Sequence, residues 1–315
     1  MDCRMLRVSG AAMSRPIRIL LQSTIPWAED DWTIERFSLL RAYLSSLKDA
    51  NGDPLTEVSA RNRQENSAGD DTVLSQLDRQ DVDELWLFAA DAGNGLTTKE
   101  CEGITRFRQR GGGILAARDH QDLGASICTI GGVGDAHFFH SSHLDPDASR
   151  HTPDDQDTPT ISWPNYHSGS NGDYQRVTAV EPVHDLMRNP TSSSGLIEVF
   201  PAHPHEGDVG VPASESHARV IATGKSQVTG RRFNLAVAFE RDRDTNGNNL
   251  GRGVAESSFH HFVDYNWDTD RGCPSFVAEP PGDGIKREPG KLEHIKRYVR
   301  NLAVWLAPES QKSAG

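Results

Sequence analysis

Residues 84–90 read Glu-Leu-Trp-Leu-Phe-Ala-Ala, an apolar run of strand length with no polar alternation. A strand of that kind has to be covered on both faces, which is the condition of a central strand in a parallel sheet. The flanking sequence supplies the covering elements. Ile17 to Gln22 reads as a first strand, and Trp32 to Leu47 reads as an amphipathic helix, with apolar residues at Ile34, Phe37, Leu40, Tyr43, Leu44 and Leu47 and with Asp30 and Asp31 expected to cap it. Thr56 to Ala60 gives a weaker second strand. Thr97-Thr-Lys-Glu100 has capping-box spacing and opens a helix to Arg110, which Gly111-Gly-Gly113 ends because glycine enters the left-handed region cheaply; Ile114 to Ala117 is the next strand. Strands alternating with helices predict βαβ units and a three-layer α/β sandwich with a flavodoxin-like, mainly parallel sheet.

Residues 134–175 carry little periodicity and much His, Asp, Ser, Pro and Gly, and are expected to form a long ordered loop over one sheet edge. Strand patterns resume at Gly195–Phe200, Ala218–Thr223, Phe233–Phe239 and Gly253–Ser258, and Lys291 to Leu306 closes the chain as a helix with Ile295, Tyr298, Val299, Leu302 and Trp305 on one face. One domain over residues 15–307 is therefore expected, between a flexible leader (1–14) and a flexible tail (308–315).

Composition narrows the partners. A formal charge of −12 without a Lys/Arg cluster would repel a phosphate backbone, so no nucleic-acid partner is expected. The apolar runs fall short of the roughly 20 residues a membrane helix requires, so no membrane partner is expected either. Cys3, Cys101, Cys128 and Cys273 are widely spaced, as for reduced thiols in a cytoplasmic protein. A small-molecule substrate is the expected partner, with a homo-oligomer left open.

The order of motifs resembles the trehalose-utilisation (ThuA-like) branch of the class I glutamine-amidotransferase-like superfamily. The resemblance is carried by Glu84–Ala90, by Gly111-Gly-Gly113 leading into Ile114–Ala117, by Arg118-Asp119-His120 at the elbow, by His203-Pro-His205-Glu206-Gly207 in mid-chain, and by Gly-Arg-Gly-Val followed by His260-His261. It spans roughly residues 16–306. It implies the amidotransferase-like fold and a link to carbohydrate metabolism. The chain departs from a glutaminase at the elbow, where Asp119 or His120 stands in place of the nucleophilic cysteine; glutamine hydrolysis is not expected.

Thirteen histidines, several of them clustered, point to a polar site at the carboxyl edge of the sheet. Its proposed members are His120, His205, Glu206 and His260, acting either as an acid/base set or as ligands to a divalent zinc, manganese or iron. Trp27, Asp31, Asp119, His137, His140 and His261 are expected around the substrate, Trp27 together with Trp32 as an apolar wall and His137 and His140 at the cavity mouth, with Phe138 and Phe139 packed inward. Asp264 and Asn266, close behind the histidine pair, could orient the imidazoles. Asp242, Asp244 and Asn246 match the first half of a calcium loop, but Gly253 stands where the closing glutamate belongs, so an Asn-Gly hairpin is expected there instead. Two further readings stay open: a non-catalytic small-molecule-binding or scaffold protein on the same fold, and thiol chemistry at Cys128.

Overall fold

The computed structural model describes residues 15–127, 130–154, 158, 160–243, 246–247 and 249–309. The leader 1–14, Cys128, Asp244 and most of the tail lie outside the described residues. The central sheet contains β1 (Ile17–Ser23), β2 (Thr56–Arg61), β3 (Glu84–Phe88), β4 (Gly113–Ala117), β5 (Thr178–Ala179), β6 (Ala218–Lys225), β7 (Arg232–Phe239) and β8 (Gly253–Glu256). Their spatial order is β2-β1-β3-β4-β8-β7-β6-β5. The pairs from β2 to β8 are parallel and those from β8 to β5 are antiparallel. The mainly parallel sheet thus continues into an antiparallel extension, and its parallel half has the flavodoxin-like order, with a switch point between β1 and β3.

Alternation along the strands builds two cores. Leu85 and Leu87 face one side, with Leu20, Ile114 and Ala116, and pack against Ile104 and Phe107 of α2 (Thr98–Gln109). Trp86 and Phe88 face the other side, with Ile19, Leu21 and Leu115, against Leu40 and Leu44 of α1 (Ser38–Ser46) and Ile295, Val299 and Leu302 of α3 (Leu292–Leu306). These are the three layers of an α/β sandwich. Among the described residues no helix is long and apolar enough to cross a membrane.

The first helix differs from its expected form. A 3-10 turn (Ile34–Phe37) precedes α1, and neither Asp30 nor Asp31 caps it. Asp264, 226 residues from Ser38 in sequence, performs that task, accepting from the Leu39 backbone N–H at 2.7 Å and from the Ser38 hydroxyl at 2.5 Å. Asp30 accepts instead from Ser275 N at 2.7 Å, and Asp31 from Trp32 N at 2.7 Å. The 134–175 stretch holds short ordered pieces, including Tyr174–Arg176 paired with Val199–Pro201 outside the main sheet. Asp242–Arg243 pairs antiparallel with Asn249–Leu250.

The capping box of α2 is present, and its glutamate does more than the box requires. Glu100 accepts from Thr97 N at 3.3 Å, from Asp71 N at 2.6 Å, and from the buried Arg63 at 2.8 and 2.9 Å. Replacing Arg63 by Met would leave the Glu100 carboxylate buried without its cation, so Arg63→Met is expected to lower the unfolding free energy by about 3–5 kcal/mol. Urea denaturation checks this, and an unchanged midpoint would show that the pair does not hold α2 to the loop before it.

Candidate active site

The carboxyl ends of β1, β3, β4 and β8 open into one cavity of about 620 Å³, lined by Ile25 beyond β1, Asp91 beyond β3, Asp119 and His120 beyond β4, and His260 beyond β8. This is the position at which open α/β sheets hold ligands. His203 and His205 reach it from the segment between β5 and β6.

Arg118 shapes the elbow after β4. Its buried guanidinium donates to the carbonyls of Asp119, Gln121 and Phe138 and lies 4.1 Å from the Phe139 ring centroid. Burial lowers it to about 9 despite Asp119 and Asp208 nearby, so it remains charged at neutral pH. The neighbouring loop approaches so closely that a Cβ on Gly207 would stand 2.5 Å from the Asp119 carbonyl oxygen, and Gly207 N donates to Ser257 O at 3.0 Å. Phe259 N donates to Arg118 O at 2.6 Å, so the ends of β4 and β8 are joined by backbone just below the cavity.

Asp119, His203 and His260 are all buried, and one ligand atom of each lies within 4.8 Å of the others. Asp119 Oδ1 is 3.5 Å from His203 Nδ1 and 3.2 Å from His120 Nδ1, and its Oδ2 is 3.5 Å from His260 Nε2. The His203 and His260 rings stack at 3.7 Å. Burial alone would raise the Asp119 carboxyl, but the imidazoles of His120, His203 and His260 outweigh it and hold the group well below the usual carboxylate range. Burial, helped by His260, pushes His203 well below its ordinary value, so its imidazole is neutral at pH 7.

The tautomer of His260 follows from a neighbour. The buried Asn266 amide donates to Asn171 Oδ1 at 2.9 Å and to the Ala202 carbonyl at 2.7 Å, and a carbonyl can only accept, which fixes the amide's orientation. Its oxygen must then accept from His260 Nδ1, 3.2 Å away. The Nε2 lone pair of a neutral His260 would therefore face a carboxylate oxygen, a repulsive arrangement unless a proton or a metal ion lies between them.

His205 stands beside this group, with ring centroids 5.2 Å from His120 and 5.6 Å from His203. Asn165 Oδ1 is 3.0 Å from its Nδ1 and Glu279 Oε1 is 3.0 Å from its Nε2. Burial, then His120, lowers its affinity for a proton, and Glu279 opposes them. One cavity wall is aromatic, with Trp32 edge-on to His260 at 4.7 Å and to Phe276 at 6.5 Å.

The residues anticipated for the site therefore separate. His120, His205, His260, Asp119 and Asp31 line the cavity. Glu206 and His261 lie behind it. Glu206 accepts from Ser168 at 2.9 Å and Ser257 at 2.8 Å, and is 3.2 Å from His261 Nε2, while His261 Nδ1 is 3.3 Å from Glu256 Oε2. His137 is buried under β4, with Nε2 3.3 Å from Ala116 O, and burial with Arg118 nearby lowers it to about 3. Phe138 and Phe139 are buried beside it. His140 packs against Trp163 at 5.3 Å, with Nδ1 3.1 Å from Ser162 Oγ, away from the cavity lining. Trp27 is 65% exposed over a separate surface depression beside Arg36 and Arg271. His203, Asn165 and Glu279 were not singled out from the sequence for the site; the His203-Pro-His205 spacing, two histidines two residues apart, was the available signal.

No family model matches the chain, and no curated protein does. Among solved structures the chain is similar to the mmIFT52 N-terminal domain, with 10% identity and a TM-score of 0.46 over 88% of this chain and 96% of that one. It is similar to the Trypanosoma brucei CTPS glutaminase domain with bound acivicin, with 12% identity and a TM-score of 0.40 over 90% and 94%. A third likeness is to a putative ThuA-like protein from Parabacteroides merdae, with 12% identity and a TM-score of 0.38 over 77% and 79%. At these values they say nothing about chemistry, which is read from the side chains alone.

His261, between Glu206 and Glu256, is raised to about 10, burial being outweighed by the two carboxylates. A histidine raised in the fold contributes stability that is complete below its unfolded value near 6.5 and lost as the pH rises through about 10. The urea midpoint is therefore expected to fall between pH 7 and pH 10, and His261→Gln to be less stable at pH 7 and flatter over that range. Parallel pH profiles would mean that the imidazolium is not what holds the two carboxylates.

Proposed function

We propose that Asp119, His203 and His260 hold a divalent transition-metal ion, zinc, manganese or iron, and that the cavity beside them is the active site of an enzyme acting on a small polar substrate. The observation that carries this reading is the His260 Nε2 turned toward Asp119 Oδ2 at 3.5 Å, with its other nitrogen committed to Asn266. Two imidazoles and a carboxylate suit these metals and leave coordination positions open for water and substrate. A metal held there would supply Lewis acidity and lower the pKa of a bound water.

The chain's own residues do the rest. Glu279 takes the proton on its carboxylate, and His205, whose Nε2 lies 3.0 Å from Glu279 Oε1, holds that carboxylate at the cavity. Asn165 fixes the ring from its other side. His120, partly exposed between Asp119 and His205, meets the substrate. Glu206 and His261 support the segments carrying His205 and His260 from behind. In the wider grouping we place the chain among the class I amidotransferase-like proteins without the glutaminase cysteine, in the ThuA-like branch, on the order of its motifs. That placement fits a small polar substrate.

Elemental analysis of untagged protein tests the reading. About one equivalent of metal is expected, lost in His203→Ala and His260→Ala and kept in His205→Ala, with Asn266→Ala about 10- to 100-fold weaker in metal affinity. A metal-free protein with its fold intact would overturn the metal, leaving a proton between Asp119 and His260 and a metal-free His205–Glu279 acid/base pair.

A further inference from the structure

The charge of the cavity wall bears on what can enter. Among the described residues lining it, Asp31, Asp91, Asp119 and Glu279 are acidic and none is Lys or Arg. Three of the four carboxylates are committed. Asp91 accepts from Ser126 Oγ at 2.8 Å and Gly93 N at 3.0 Å, Asp119 faces the imidazoles, and Glu279 faces His205. Asp31 differs: its Oδ1 accepts from Trp32 N at 2.7 Å, and its side chain stands half-buried at the cavity beside the Trp32–Phe276 wall. Phe276 is 59% exposed, which leaves an apolar surface at the entrance for the body of a ligand. The formal charge of −12 makes the molecule as a whole repel anions.

We propose that this cavity selects substrates bearing a cationic group on an apolar body, that Asp31 pairs with that cation while the body lies on Trp32 and Phe276, and that the walls away from the metal ligands disfavour anionic groups. The proposal rests on the reading of this cavity as the active site. Away from the metal ligands, a phosphate or carboxylate would meet acidic walls whose lining supplies no guanidinium or ammonium group to offset its desolvation. A cation would find the Asp31 carboxylate beside the aromatic wall. The carboxylate's place beside a half-enclosed aromatic surface makes the pair stronger than one in open water.

Benzamidine and benzoate have the same ring and opposite charge, and their binding can be followed by calorimetry without turnover. Both are titrated into the wild-type protein, into His260→Ala and into Asp31→Asn, each checked for an unchanged fold by circular dichroism. His260→Ala removes the metal as an alternative partner for benzoate, so a failure of the metal reading and a failure of this one give different results. Benzamidine is expected to bind at least about tenfold more tightly than benzoate in His260→Ala, with the preference collapsing in Asp31→Asn. Equal or tighter binding of benzoate in His260→Ala, a preference untouched by Asp31→Asn, or no saturable benzamidine binding at millimolar concentration would each overturn the proposal.

Discussion

An ionised carboxylate taken out of water at the end of β4 sets the terms for everything around it. Asp119 is almost wholly buried, and the groups facing its oxygens are the His120 backbone N–H, which donates at 2.8 Å, and the imidazoles of His120, His203 and His260. An isolated buried carboxylate costs several kcal/mol, so the fold has to bring compensating groups to it and hold them there. The Arg118 fork, the close approach of Gly207 and the Phe259–Arg118 backbone bond are the means. Each fixes a different segment against the elbow. The imidazoles consequently arrive on supports that have little room to shift, which is the arrangement a precise site requires.

Behind this group a second buried set repeats the principle with a different outcome. Glu206, His261, Glu256 and Tyr298 form a chain of hydrogen bonds that solvent does not reach. Burial raises Glu256, and burial and the adjacent carboxylate raise Tyr298 well above its usual value. The charge of His261 holds two carboxylates from different segments, the loop carrying His205 and the strand leading to His260. A polar network of this kind costs desolvation and specifies one arrangement of the segments it joins. Consecutive histidines on a 3-10 turn thereby serve opposite sides, His260 toward the cavity and His261 toward the core.

The same division explains what could be read from the chain before the fold was known. β3, β4, the α2 capping box and the buried face of α3 are legible because local periodicity and local capping decide them. The carboxyl-edge cavity is legible too, because parallel strands place their following loops at one end. The choice between His203 and Glu206 is not local. Both are buried, both are hydrogen-bonded, and only the position of Asp119 relative to the segment shows which one faces the cavity. Trp27 and Trp32 differ in the same way: Asp30 bonds to Ser275 and Asp31 to the Trp32 backbone, and the two indoles part, one to solvent and one against His260. The cap of α1 by Asp264 is a contact between distant segments that no window of sequence contains.

Strand direction decides whether such a site can exist. β8 lies beside β4 and parallel to it, with Glu256 opposite Ala117, so Asp119 and His260 leave the sheet at the same edge, two and four residues beyond paired positions. The next strand, β7, runs antiparallel to β8 and pairs Ala236 with Glu256, so its own carboxyl end lies at the opposite edge. If β8 had joined the antiparallel half instead, His260 would emerge a strand's length from Asp119. The parallel insertion of a late strand beside β4 is thus what converts an acidic elbow into a group of donors. The long excursion between the two strands, which the antiparallel half absorbs, carries His203 back to the same edge.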